Sequence, residues 1–167
     1  EITARVTEKL CRLFDRELAV AFLPTGTAAN ALAAALFVRP WQSILTFAES
    51  HLADDECGAP EFFTHGAKIV GLPGAGSKLT PEGVKSQLAR MPEGAMKQMQ
   101  PALLSISNVT ESGLVYRPEE VRALKQAISP RGLALHMDGA RFANAVAALG
   151  CAPRISPGRR ASMCCAS

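Results

Sequence analysis

The amino-acid sequence predicts an α/β domain in which a mainly parallel sheet is flanked by helices on both faces. Three observations favour this class. Short apolar runs typical of buried strands alternate with helical patterns, the connections between them are short, and apolar residues make up 48% of the 167 residues, enough for a core. Parallel strands need a crossover between them, usually a helix, so this alternation indicates a parallel sheet.

The sequence of residues 1–72 predicts three helices and three strands. The N-terminal segment spaces its apolar side chains as an amphipathic helix does, and each later apolar run is short enough for a buried strand. In chain order, the predicted elements are a helix with Ile2, Val6, Leu10 and Leu13 on one face, a strand over residues 18–23, an alanine-rich helix over 27–38, a strand over 43–47, a helix reaching about Phe62, and a strand over 67–72.

Residues 80–137 predict two more helices and two more strands. Thr80-Pro81-Glu82 is typical of a helix start, because threonine can cap the first turn and proline lacks the N–H that would go unpaired there. The predicted elements are this helix with Val84 and Leu88 on its apolar face, a loop over residues 91–101, a strand over 102–107, a helix opened by Arg117-Pro118-Glu119-Glu120 and reaching about Ala127, and a strand over 133–137.

The charge pattern argues against nucleic-acid and membrane partners. Charged residues make up 20% of the chain, and the net charge of +3 is spread without long basic runs. No apolar stretch approaches the roughly 20 residues that a membrane-spanning helix needs, and the first ten residues are too charged for a signal peptide. A soluble, cytoplasmic protein is therefore expected.

The cysteines form neither a zinc motif nor a disulfide framework, because no two are spaced as C-x-x-C and no histidine cluster accompanies them. We expect buried free thiols and no metal site. The five cysteines are Cys11, Cys57, Cys151, Cys164 and Cys165.

Polar segments follow four of the predicted strands. Ligands of parallel sheets bind beyond the carboxyl ends of the strands, so these segments are the candidate binding residues. In the first, Thr25-Gly26-Thr27 joins a strand to a helix. The free N–H groups of a helix start, two hydroxyls and a glycine suit a phosphate group, although an ordinary threonine cap explains the same residues.

The other three segments each allow a functional and a simpler interpretation. After the strand at residues 43–47, His51 can stack on a flat cofactor while Asp54, Asp55 and Glu56 form an acidic helix start, or the segment is a solvated acidic face. Residues 107–113 form a polar turn. In the fourth segment, Asp138 either serves a ligand or caps the following helix, with Arg141 on the surface of that helix.

Taken in order, the four segments resemble one enzyme family. The stretches PTGTAAN, AESHLADDECG, SNVTESGLVYRPEEV and HMDGARFANAVAALG are similar to the low-specificity L-threonine aldolases, within the pyridoxal-phosphate enzymes that include the aromatic amino acid beta-eliminating lyases. The resemblance runs from Glu1 to about Pro153. It implies part of the large domain of the fold type I, aspartate aminotransferase-like fold, with pyridoxal 5'-phosphate as cofactor.

The resemblance also implies roles for individual residues. Thr25-Gly26-Thr27 would hold the cofactor phosphate, and His51 would stack on the pyridine ring. Asp138 would pair with the pyridine nitrogen and keep it protonated, so that the ring can withdraw electrons. Arg141, expected one helical turn from Asp138, would hold the carboxylate of the amino-acid substrate.

The implied reaction is cleavage of the Cα–Cβ bond of a β-hydroxy-α-amino acid. L-Threonine or L-allo-threonine would give glycine and acetaldehyde, as part of amino acid metabolism. Many family members carry Thr-His where this chain reads Thr110-Glu111, which leaves the base for the hydroxyl unassigned, with His51 or a water as candidates. The family implies a homo-oligomer.

The chain departs from the family in its lysines. The family places the lysine that binds the cofactor beyond the segment DGAR, but no lysine follows Lys125 in this sequence. The expected organisation is a cofactor-binding large-domain fragment over residues 1–153, a non-family tail over 154–167, and no small C-terminal domain. Without the lysine we expect this chain to be inactive alone. The alternative is a non-catalytic, degenerate fragment or pseudogene product that at most binds a phosphate-bearing ligand.

The tail has a possible origin in the reading frame. If one base was lost near Pro153, the tail is a mistranslation of the strand that the family has next. Reading Met163-Cys164-Cys165 one base earlier forces the pair Val-Leu, and permitted codons turn the remaining tail into family-like sequence. Sequencing the coding DNA tests this hypothesis.

Overall fold

The computed structural model describes residues 1–150 and 161–164, the latter by their backbone alone. The strands are β1 (Gln42–Phe47), β2 (Lys68–Leu72), β3 (Gln100–Ser107), β4 (Ala134–Asp138) and β5 (Ala161–Cys164). The helices are α1 (Ile2–Leu13), α2 (Gly26–Phe37), α3 (His51–Asp54), α4 (Ala59–Phe63), α5 (Pro81–Arg90), α6 (Pro118–Ile128) and α7 (Phe142–Leu149).

The described strands form one sheet in the order β2-β1-β3-β4-β5. Every neighbouring pair is parallel, which confirms the predicted sheet. No helix in the described ranges is long and apolar enough to cross a membrane.

Apolar side chains cover both faces of the sheet. Because successive side chains of a strand point to opposite faces, Ile44 and Leu45 belong to different cores. Ile44 packs with Leu103 and with residues of α2, whereas Leu45 packs with Leu104 and with residues of α5 and α6. All four strand residues have no exposed surface. This confirms a parallel sheet flanked by helices on both faces.

The predicted helix starts at Thr80 and Arg117 are confirmed. The Thr80 hydroxyl accepts a hydrogen bond from the Gly83 N–H at 3.1 Å, and α5 begins at Pro81. At α6, the Arg117 N–H donates to the Glu120 carboxylate at 2.6 Å. Side-chain oxygens thus bond free donors in the first turns of these two helices.

The predicted strand at residues 18–23 is wrong. These residues adopt no regular secondary structure, and Phe22 and Leu23 are 56% and 40% exposed. A strand needs a neighbour with which to exchange backbone hydrogen bonds, and no described strand lies beside this segment. An apolar run alone does not reveal whether that neighbour exists.

The predicted helix reaching Phe62 is two short helices, α3 and α4. Gly58 has a positive φ of 75°, which glycine adopts without strain, and it precedes α4. Pro60 lies in the first turn of α4, where its missing N–H costs nothing, whereas it would break a continuous helix. The turn between the two helices exposes Cys57.

The prediction of buried free thiols is wrong for the two cysteines that the structure describes with their side chains. Cys57 is exposed and Cys11 is half-buried, and both are free. Cys151, Cys165 and the side chain of Cys164 lie outside the described residues.

A buried histidine links the central strand of the described sheet, β3, to its neighbour β4. His136 on β4 has no exposed surface and lies opposite Ser105 of β3, with its Nδ1 atom 2.8 Å from the Ser105 hydroxyl. Burial lowers the pKa of His136 to about 4, although the charge of Asp138 acts in the opposite direction. The folded chain therefore keeps this ring neutral in mildly acidic solution.

We predict that His136 makes the fold sensitive to acid. Between pH 6.5 and 4 the unfolded chain binds a proton that the folded chain does not, so stability falls as the pH falls. Over pH 7 to 5 the loss from this residue is about 2 kcal/mol. Urea unfolding at several pH values measures it. His136→Gln should lose this part of the pH dependence, even if the substitution itself changes the free energy of unfolding. The same change of that free energy with pH in both proteins would contradict the prediction.

Candidate active site

The loops that follow β1, β3 and β4 meet at one edge of the sheet, because parallel strands have their carboxyl ends on the same side. With the start of α2 they enclose a cavity of about 250 Å³. Its lining includes residues of all four polar segments, among them Gly26, Thr27, His51, Glu111, Asp138 and Arg141. The fold thus brings together the four segments singled out in the sequence.

The start of α2 combines a threonine cap with an anion-binding geometry. The Thr25 hydroxyl accepts from the Ala28 N–H at 3.0 Å, so Thr25 is a cap. Gly26 and Thr27 line the cavity, and their N–H groups have no hydrogen-bond partner within the described residues. Free N–H groups at the start of a 12-residue helix attract an anion. The two interpretations of this segment are therefore compatible.

Asp138 ends β4 with its carboxylate held on both oxygens. Oδ1 accepts from the Ala140 N–H at 3.0 Å, and Oδ2 accepts from the side-chain amide of Asn30 at 3.0 Å. Since α7 begins only at Phe142, the bond to Ala140 closes a turn and does not cap the helix. The carboxylate lines the cavity.

Arg141 is exposed at the rim of the cavity, and its guanidinium donates to the Val109 carbonyl oxygen across 3.4 Å. The expected spacing of one helical turn from Asp138 is wrong. Asp138 belongs to a strand, and a tight turn, in which the Phe142 N–H bonds the Gly139 carbonyl oxygen at 2.9 Å, connects it to α7.

His51 begins α3 and is anchored at two points. Its backbone N–H donates to Oε1 of Glu111 at 3.0 Å, and its ring Nδ1 lies 3.0 Å from Oε1 of Glu56. The side chain is 44% exposed and lines the cavity. A ring held by one nitrogen with part of its surface accessible is suited to contact a flat ligand.

Of the acidic residues after His51, only Asp54 lies in the first turn of α3, so the predicted acidic helix start is wrong for Asp55 and Glu56. Asp54 is the last residue of α3, and Asp55 and Glu56 follow it. The solvated-face interpretation holds for Asp54 and Asp55, which are exposed, but not for Glu56, which is 2% exposed. Burial raises the pKa of the Glu56 carboxyl above its ordinary value, whereas hydrogen bonds from Asn30 and His51 act in the opposite direction.

Asn30 connects Glu56 to Asp138, whereas the sequence pattern assigned Asn30 no role and placed Glu56 in an acidic helix start or a solvated face. The Asn30 amide nitrogen donates to Glu56 Oε1 at 2.6 Å as well as to Asp138. Asn30 lies four residues after Gly26, on the same side of α2, which is a signal that the sequence offered. For Glu56 no local signal exists, because its burial depends on the packing around α3 and α4.

Glu111 joins the loops after β1 and β3. One carboxylate oxygen, Oε1, accepts both from the His51 N–H and from the Ser107 hydroxyl, the latter at 2.6 Å. The third polar segment is therefore more than a surface turn, because it places a carboxylate at the cavity.

Donor atoms of His51, Glu56 and Asp138 lie within 4.8 Å of one another, a spacing that a metal ion could bridge. The hydrogen bonds through Asn30 already explain this proximity. A cation would have to displace them, so the arrangement requires no metal.

The comparisons with known proteins identify the family. The model of the beta-eliminating lyases matches residues 1–164. The chain belongs to this family. Its members depend on pyridoxal phosphate, as the resemblance in the sequence implied. The match extends past Pro153 into the predicted tail, and the frameshift stays a prediction, since residues 151–160 lie outside the described part of the chain.

Relatives with assigned names are threonine aldolases. The chain is 40% identical over 151 residues to the low-specificity L-threonine aldolase of Pseudomonas sp. strain NCIMB 10558, covering 90% of this chain and 43% of the relative. Identity to the enzyme of the same name from Saccharomyces cerevisiae is 30% over 149 residues, covering 89% and 38%. The chain thus spans less than half the length of these relatives.

Solved structures confirm the predicted fold. The threonine aldolase of Leishmania major superposes with a TM-score of 0.79 at 31% identity, covering 86% of this chain and 41% of that one. An archaeal alanine:glyoxylate aminotransferase, with a TM-score of 0.63 at 20% identity, covering 81% and 33%, shares the fold. The described sheet therefore has the fold of the large domain of the fold type I enzymes.

The residues around the cavity fit pyridoxal phosphate. Free N–H groups at the start of α2 suit a phosphate dianion, and the Asp138 carboxylate suits a protonated ring nitrogen. None of the residues that line the described cavity is a lysine. Lys78, for example, bonds Glu120 and the Val115 carbonyl oxygen. The described cavity therefore has polar groups that fit the cofactor but no lysine amine.

Two matched threonine caps test the anion site. Thr25→Ala and Thr80→Ala each remove a cap of the same geometry, so each should lower the free energy of unfolding by about 1 kcal/mol. Only Thr25→Ala loosens the N–H groups that face the cavity. We expect it alone to weaken binding of pyridoxal phosphate, measured by titration beside urea unfolding. Equal affinities for both variants would contradict the anion site.

Proposed function

We propose that the chain is the cofactor-binding part of a pyridoxal-phosphate-dependent lyase. The whole protein would cleave the Cα–Cβ bond of β-hydroxy-α-amino acids, converting L-threonine or L-allo-threonine to glycine and acetaldehyde. The observation that carries the proposal is the convergence of the start of α2, His51, Asp138 and Arg141 on one cavity. The 40% identity to a low-specificity L-threonine aldolase supports this choice of substrate.

The cofactor, when bound, would supply an electron sink for the negative charge that develops on Cα as the bond breaks. Gly26 and Thr27 would hold its phosphate through their N–H groups and the dipole of α2. Asp138 would accept the N–H of the pyridine ring and keep that nitrogen protonated. This carboxylate is prepared for the task because the Ala140 N–H and Asn30 fix its orientation.

Arg141 would bind the carboxylate of the substrate. Its guanidinium has five donors in a planar fork, and in the described structure a single long hydrogen bond to Val109 holds it. Most donors therefore remain available for two parallel bonds to a carboxylate. His51 would lie against the pyridine ring, with Glu111 fixing its backbone.

The base that takes the hydroxyl proton stays open between His51 and a water. The structure supports His51, because its ring lies at the cavity and only Nδ1 bonds a described residue. Glu111 is a third candidate, since its carboxylate also lines the cavity.

A second function, binding without catalysis, is favoured by one observation. None of the residues that line the described cavity is a lysine. The cavity therefore lacks the amine that would bind the cofactor covalently and then be replaced by the amine of the substrate. The chain would then be a degenerate fragment that at most binds a phosphate-bearing ligand. A cytoplasmic location and a homo-oligomeric state stay predictions for the whole protein. The exposed apolar side chains Leu36, Phe62 and Phe63 support an interface with another subunit.

Cofactor chemistry on this chain tests the proposed site and the expected inactivity, which both functions share. With pyridoxal phosphate and L-threonine we expect a visible absorption band but no glycine or acetaldehyde, because the anchoring amine is missing. Borohydride reduction followed by mass spectrometry should leave the cofactor unattached to residues of the cavity. Turnover by the 167-residue chain would contradict the expected inactivity. Failure to bind the cofactor at all would contradict the proposed site.

Asp138→Asn should weaken cofactor binding. The change keeps the side-chain size but removes the charge that pairs with the protonated ring nitrogen, and one hydrogen bond to a charged group is worth roughly 1.5–3 kcal/mol, or tenfold or more in affinity. Titration followed by absorbance measures it. Asp55→Asn removes an exposed carboxylate near the same site and is the matched control. Equal losses in both variants would point to general electrostatics and against the assigned role.

A further inference from the structure

A continuous chain of hydrogen bonds joins the two cavity residues Asp138 and His51 through two buried side chains. Asp138 accepts from Asn30 at 3.0 Å, Asn30 donates to Glu56 at 2.6 Å, and Glu56 lies 3.0 Å from Nδ1 of His51. Asn30 and Glu56 are each 2% exposed. We propose that Glu56 is a positioning residue that fixes the ring orientation and the tautomer of His51, and that Asn30 couples it to Asp138.

The amide orientation of Asn30 follows from its neighbours. A side-chain amide nitrogen has two hydrogens, and here each is directed at a different carboxylate, Glu56 and Asp138. A flipped amide would place its carbonyl oxygen against both carboxylates, which repel it. The observed orientation leaves Oδ1 of Asn30 buried without a partner in the described residues, a cost that the two charge-assisted bonds offset.

The tautomer of His51 follows from Glu56. An ionised carboxylate only accepts hydrogen bonds, so Nδ1 must carry the proton that lies between the two groups. A protonated Glu56 does not fit as well. The hydrogen bond that Asn30 donates to Oε1 stabilises the ionised form, and a proton on Oε1 directed at Nδ1 would weaken that bond. A proton on Oε2 would be a buried donor without a described acceptor. The neutral ring therefore holds its hydrogen on Nδ1 and has a lone pair on Nε2.

This tautomer matters for the hydroxyl base. A neutral imidazole with a lone pair on Nε2 can take a proton from a hydroxyl or a water, and a ring with its hydrogen on Nε2 cannot do so at that atom. The side chain of His51 is 44% exposed and lines the cavity, so the ring reaches the space where a substrate would lie. This consequence rests on the proposed function, whereas the tautomer itself does not.

A neutral side chain would fill the position of Glu56 at a lower cost in folding free energy. A buried carboxylate with one oxygen unpaired lowers stability, because desolvation of that oxygen is not compensated. A purely structural role would be filled equally well by a neutral side chain of the same shape. Glu56→Gln should consequently fold, and the loss of the charge should appear in the ring of His51.

Nitrogen NMR on the chain labelled at its histidines tests the tautomer. The sequence has three histidines, and His51→Asn assigns the signals of His51 by their disappearance. At alkaline pH, where imidazoles are neutral, we expect Nδ1 of His51 to be protonated and Nε2 to be unprotonated in the unsubstituted chain. Glu56→Gln should give a mixture of the two forms. Asp55→Asn, which alters the exposed neighbour, should leave the spectrum unchanged.

Titration with pyridoxal phosphate separates this inference from the proposed function. Glu56→Gln should bind the cofactor about tenfold more weakly than Asp55→Asn, as expected when a hydrogen bond to a charged group no longer orients the ring. A protonated Nε2 in the unsubstituted chain overturns the inference whether or not cofactor binds. The expected tautomer without any cofactor binding supports the inference and contradicts the proposed function.

Discussion

All described strands run in the same direction, and the rest of the molecule depends on that constraint. Parallel neighbours require the chain to return along one face of the sheet before the next strand begins, so helices cover both faces and the strands are apolar on both sides. The same geometry puts every loop that follows a strand at one edge. A binding site assembled from distant segments is a consequence of this topology, because Asn30 and Asp138 come from separate parts of the chain yet lie 3.0 Å apart.

Two carboxylates lie close together at the cavity, and the amide of Asn30 reduces the repulsion between them. Glu56 and Asp138 have oxygens within 4.8 Å of each other, a separation at which two partly buried carboxylates repel strongly. The Asn30 amide lies between them and donates to both. Because the amide carries no charge, it does not replace the protonated ring with which Asp138 would pair in the proposed function. A lysine or arginine in its place would neutralise the very charge that the site needs.

The sequence predicted those elements of the fold that depend on a pattern within a few consecutive residues. Helical spacing and threonine caps are properties of a few consecutive residues, so α5 and its start at Pro81 could be located without any structure. The strand at residues 18–23 could not be excluded in the same way, because strand formation depends on a neighbour that no local pattern reveals. The break between α3 and α4 was visible in Gly58 and Pro60 but was outweighed by the apolar pattern around them.

The sequence likewise predicted only those residues of the candidate site that a local pattern or the family resemblance marks. Thr25, His51, Asp138 and Arg141 stand at the ends of predicted strands, and the family resemblance supplied their roles. The buried pair Asn30 and Glu56 could be identified only from the structure. Glu56 follows two exposed acidic residues, so the sequence indicates a solvated carboxylate, and only the fold shows that it is buried. Residues that contact a ligand are thus easier to find in a sequence than the residues that hold them in place.

Binding and bond cleavage are separable in this architecture. In the proposed function, the start of α2, His51 and Asp138 would recognise the phosphate, the face and the nitrogen of the cofactor, and residues of all three line the described cavity. The amine that would anchor the cofactor covalently is not among the residues that line this cavity. Recognition by hydrogen bonds and charge would need only the first set, whereas the proposed release of glycine would need both. The described cavity therefore holds the proposed recognition groups without the lysine that the proposed reaction requires.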